Sequence, residues 1–113
     1  MALALNVFRT VTKIAPTNPV GIYTAPTGYT GVVLLAQAAN VGDATYTVSM
    51  SHQRTTAGVA VTTEVVKDLP IESSDSASLL TGKLVLEQSD SLVISASNST
   101  NLKFLASILE TLN

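Results

Sequence analysis

Thr45-Tyr46-Thr47-Val48-Ser49-Met50-Ser51-His52-Gln53 puts Tyr46, Val48 and Met50 on one parity and Thr45, Thr47, Ser49 and Ser51 on the other. Successive side chains leave opposite faces of a pleated strand, so this alternation is that of a strand half buried against a core. His52 shares the apolar parity near the end of the stretch. That position predicts a rim histidine with its ring packed and one nitrogen in water.

Upstream, Gly31 to Val41 is apolar on both parities, with Val32, Leu34, Ala36 and Ala38 against Val33, Leu35 and Ala39. Such a run predicts a central strand covered on both faces. Pro26-Thr27-Gly28 before it predicts a type I reversal with glycine at its last position, and Val20 to Thr24 is a short strand. Leu5 to Ile14 is rich in β-branched residues, but Arg9 and Lys13 share the parity of Val7 and Val11. Residues 1–14 therefore read as an edge strand or an N-terminal arm that lies on a neighbour.

Downstream, Thr55-Thr56-Ala57-Gly58 turns the chain into Val59 to Val66, where Val59, Val61 and Val65 hold one face. The strand signal weakens from Asp68 to Ser78, because Pro70 lacks an N–H and Glu72 to Ser76 is polar. Lys83 to Glu87 and Ser91 to Ser97 form a late hairpin about Gln88-Ser89-Asp90. Residues 102–112 fit two periods: Leu102, Leu105, Leu109 and Leu112 at helical spacing, or Leu102, Phe104, Ala106 and Ile108 alternating. Turn signals recurring about every 8–12 residues favour the strand, which turns Leu105 and Leu109 away from the core and in need of a partner.

Short strands with no βαβ rhythm predict an all-β fold, an antiparallel two-layer β-sandwich of jelly-roll type, with a closed barrel as the alternative. The 113 residues read as a single domain. Only 12% of them are charged, about half the usual share, so part of the surface is carried by Ser and Thr or covered by another chain.

The same composition weighs against most chemistry. Six basic residues are scattered and the net charge is −2, which leaves no footprint for nucleic acid. No apolar stretch is long enough for a bilayer, and Met1 to Leu5 lacks the basic flank of a signal peptide, so an intact soluble chain is expected. There is no cysteine and one histidine, so thiolate and two-histidine metal sites are absent. Glu72/Asp75 and Glu87/Asp90 have matching spacing without the ligands of a calcium loop and read as solvated turn residues, a weak cation site being the alternative. No nucleophile motif and no phosphate-binding glycine pattern occurs, and the reading is of a non-enzyme with no catalytic, cofactor or metal residues.

Ile22 to Asn40, Gly82 to Ser97 and the terminal Leu105-Ala-Ser-Ile-Leu-Glu110 resemble small virion proteins of tailed bacteriophages, particularly those of marine cyanobacteria. In that pattern a strand ends in a Pro-x-Gly turn and a central strand closes on asparagine. A late hairpin carries Leu-x-Leu, an acidic turn and Asp-x-Leu, with Ser89 here in the place of a glycine. The resemblance implies a non-enzymatic particle component located in the virion and assembled in the host cytoplasm. It is expected to be a capsid decoration or cement protein that binds the major capsid protein as a small homo-oligomer, with a trimer as the expected size. Tail, neck or fibre accessory is the alternative, and a carbohydrate-binding module is a further one. The expected partner interface is Val7, Phe8, Val11, Leu105 and Leu109.

Overall fold

The computed structural model describes residues 6–112, and the apolar stretch Met1 to Leu5 lies outside them. Nine strands follow one another: β1 (Asn6–Ile14), β2 (Val20–Thr24), β3 (Tyr29–Asn40), β4 (Tyr46–Thr56), β5 (Val59–Ile71), β6 (Ser76–Ser78), β7 (Leu84–Leu86), β8 (Ser91–Ala96) and β9 (Leu102–Leu112). They form two antiparallel sheets. One has the order β1-β9-β3-β6, with β7 also paired to β3, and the other β2-β8-β4-β5. With β6 and β7 sharing one edge, this order is the double Greek key of a jelly roll. The sheets pack as a sandwich and do not close into a barrel.

Between the sheets lie Phe104, Ile108, Leu102, Val33 and Leu86 from the first and Met50, Val48, Leu92 and Ile94 from the second, all essentially inaccessible. Val48 and Met50 are the apolar parity of the alternating stretch, and Leu102, Phe104, Ala106 and Ile108 are that of the last strand. Residues 102–112 are therefore strand: the alternation buries the complete row Leu102, Phe104, Ala106 and Ile108, whereas a helix would have buried Leu102, Leu105 and Leu109 and turned Phe104 and Ile108 away from that face.

Five local readings are corrected by the structure. β7 and β8 do not form the expected hairpin, because the turn between them carries the chain from one sheet to the other, β7 pairing with β3 and β8 with β2 and β4. Tyr29 N–H bonds to Pro26 C=O, so glycine occupies the third turn position; Gly28 has φ 86°, which is the type II arrangement and not type I. β5 runs through Asp68 and Pro70 to Ile71, with the irregularity absorbed by register shifts and a positive φ of 50° at Asp68. β3 is central, yet its outer parity is not covered by the sandwich, and Leu34 and Leu35 are 38% and 39% exposed beside a register shift. Asp90 is no solvated turn residue, since it is 2% exposed.

Candidate functional site

The two outer faces of the sandwich differ in chemistry. Across β1, β9, β3 and β7 the register opposes Phe8 to Leu109, Leu109 to Val32 and Val32 to Val85, which makes one apolar row over four strands. Its ends are open, Phe8 being 75% and Val85 52% exposed. On the same face Leu105 lies between Thr12 and Gln37, and Ile14 and Ala39 flank Lys103. Together these residues line a shallow concavity. Lys103 is the one charged residue of this parity among the described strand residues of the sheet.

On the opposite face Ser49, Ser51, Gln53 and Ser95 line a shallow depression with Thr62, Glu64, Lys67 and Asp68. Hydroxyl and charged groups there hold water well, so this face needs no cover. The contrast gives the molecule a greasy side and a wet side.

Two polar networks pin the strands that frame the apolar face. Glu110 is 3% exposed; it accepts from Arg9 Nε on β1 at 2.9 Å and from the Tyr23 hydroxyl on β2 at 2.6 Å. A register shift between Gly21 and Tyr23 turns the Tyr23 ring inward, and the missing Cβ of Gly31 makes room for it: a Cβ there would sit 3.1 Å from the ring. One carboxylate thus ties the edge strand β1 to the sheet behind it. Burial and the bond to the Glu110 carboxylate raise the Tyr23 phenol above its ordinary value, so it remains a donor. The same carboxylate keeps the Arg9 guanidinium firmly protonated.

Asp90 accepts from Arg54 Nε at 2.9 Å and Nη2 at 2.7 Å, from His52 Nε2 at 2.9 Å and from the Glu87 N–H at 2.9 Å. Arg54 Nη2 also reaches Glu87 at 2.8 Å. The two-pronged bond from Arg54, followed by those from His52 and Glu87, outweighs burial and holds the Asp90 carboxyl well below the ordinary range. His52 does sit at the rim, with its Nε2 on this carboxylate. The cluster is saturated with protein donors and has no nucleophile or open ligand position. Among the described residues no group of His, Asp and Glu side chains converges as a metal set, and no helix is long and apolar enough to cross a membrane.

Of the residues singled out from sequence, Phe8, Leu105 and Leu109 lie on the apolar outer face, where Phe8 and Leu109 are direct cross-strand neighbours. Val7 and Val11 have the opposite parity, and Val11 packs against the core. Val32, Val85, Leu34 and Leu35 belong to the face but were not singled out. For Val32, Leu34 and Leu35 the signal is the apolar second parity of β3, which fits burial between two layers equally well; Val85 lies on β7.

No family model and no curated protein matches the chain. Solved structures do. A chain of the acidic stable capsid structure of Helicobacter pylori bacteriophage KHP30 superposes with a TM-score of 0.57 at 14% identity, over 96% of this chain and 89% of that one. A chain of the T13 viral particle of infectious bursal disease virus, IBDV, gives 0.58 at 12% identity over 97% of this chain, which spans only 32% of the viral one. A chain of the Bacillus endospore appendages, disulfide-linked pili, gives 0.50 at 15% identity, with 100% and 97% covered. Likeness at these identities establishes the shared fold.

Proposed function

We propose that this protein is a non-enzymatic structural component of a virion, a capsid decoration or cement subunit whose outer β1-β9-β3-β7 face docks on the major shell protein. The observation that carries this reading is the apolar row Phe8, Leu109, Val32 and Val85 on a face where Lys103 is the one charged residue among the described strand residues of outward parity. Burying such a row contributes about 25 cal/mol per Å² before association costs. Repetition over many copies on one shell multiplies a modest contact into a durable one. Likeness to chains of two viral capsids supports the reading, as does the resemblance to small virion proteins of tailed phages.

The test is particle association. The substitutions Phe8→Asp and Val85→Asp sit at exposed positions, so the fold should persist while binding to shells lacking the protein is lost. Ser95→Asp, on the wet face, should bind as the parent does. Absence of the protein from purified particles by mass spectrometry, or undiminished shell binding by the Phe8 and Val85 variants, refutes the proposal. A tail or fibre position is the second reading, favoured by the likeness to a pilus subunit over nearly its whole length; immunogold labelling of particles separates the two.

A further inference from the structure

β5 leaves one side of a long strand unpaired: β4 lies on one flank, and no described strand pairs with the other. The hairpin turn Ala57-Gly58 closes on Thr56 and Val59. Backbone alternation then aims the N–H and C=O groups of Ala60, Thr62 and Glu64 away from β4. Beyond Glu64 the strand is a poor template, with register shifts, a positive φ at Asp68 and a proline at position 70. Before it there is none of this. Val59-Ala60-Val61-Thr62-Thr63-Glu64 has one charge, no proline and no register shift, and Val59 and Val61 are 63% and 56% exposed. The other edges are guarded: β1 carries Arg9 and Lys13, β2 is short with a bulge, and β6 and β7 have three residues each.

We propose that the 59–64 edge of β5 is a homotypic interface, pairing antiparallel with the same edge of a second copy about a two-fold axis at Thr62. A second copy is the occupant that the sequence itself complements. In this register Thr62 faces its counterpart, Ala60 faces the second copy's Glu64 and Val61 faces Thr63. No like charges oppose each other, and the exposed Val61 of each copy lies against the methyl-bearing Thr63 of the other. Moving the axis to Glu64 would set two carboxylates face to face. The pairing is isologous and closes at two copies, so it supplies a dimer contact and not the three-fold contact of a trimer. It uses a different surface from the proposed shell-docking face.

The test uses the purified full chain without particles, so that its failure leaves the shell-docking reading standing. Sedimentation at concentrations up to about 1 mM should show a dimer, and Thr62→Lys, which opposes two ammonium groups, should restore the monomer with an unchanged circular dichroism spectrum. The chain has no cysteine, so Thr62→Cys under mild oxidation should give a covalent dimer about tenfold faster than Ser99→Cys in an exposed loop. A monomer throughout that range, a dimer that survives Thr62→Lys, or equal cross-linking rates for the two cysteine variants would overturn the proposal.

Discussion

Asp90 is the residue on which solution conditions act most directly. Its carboxyl is held below the ordinary value of about 3.9, so between the two values the unfolded chain binds a proton that the folded chain does not. The stability it contributes is complete above the unfolded value and is lost as pH falls toward the folded one. Urea midpoints between pH 2 and 7 should therefore drop on the acid side. Asp90→Asn should shallow that acid limb and cost about 2 kcal/mol near neutrality. Gly31→Ala should also destabilise, by about 1–3 kcal/mol, since its Cβ would press on a Tyr23 ring that Glu110 holds in place. In a double-mutant cycle with Tyr23→Leu the two losses should not add. Neither network was legible in the sequence. Arg9 and Glu110 are 101 residues apart, and Asp90 shared its spacing with Glu87, which does stand in water. Ser89, beside Asp90, stands where the sequence pattern expects glycine, and it has the positive φ of 72° that glycine adopts most easily.

At the level of elements, the alternating stretch and the final strand were readable because each has one buried face, and a one-residue slip would expose the whole row. The open outer face of β3 and the second half of β5 were not. An apolar second parity reads the same whether a second layer or a partner covers it, and Pro70 and Asp68 are tolerated because β5 is an edge. The β4-β5 hairpin offers a direct check on this local logic. Ala57 and Gly58 both have positive φ, 52° and 79°, as a type I′ turn requires, and alanine is poorly suited to the first of them. Ala57→Asn should stabilise the fold by about 0.5–1 kcal/mol, seen as a melting temperature a few degrees higher.

Over the whole molecule the pairing is dominated by distant partners. β1 zips to β9 from Asn6↔Thr111 to Ile14↔Lys103, and β3 forms the other flank of β9. Neither the order of strands nor the pairing of β1 with β9 could be read from the chain, because turn signals fix reversals and say nothing of which edges meet. The kinetic cost follows from loop closure: refolding from urea should take milliseconds to seconds, and Leu105→Ala in β9 should be monitored by the same stopped-flow trace. A phase in microseconds would contradict so non-local a register.

That first-to-last pairing also decides how the protein bears load. Asn6 and Thr111 are partners at one corner of an antiparallel ladder, so tension applied through these two points opens the seam rung by rung instead of shearing all rungs at once. A tether there is a mechanical weak point, while traction spread across the broad flank engages many rungs together.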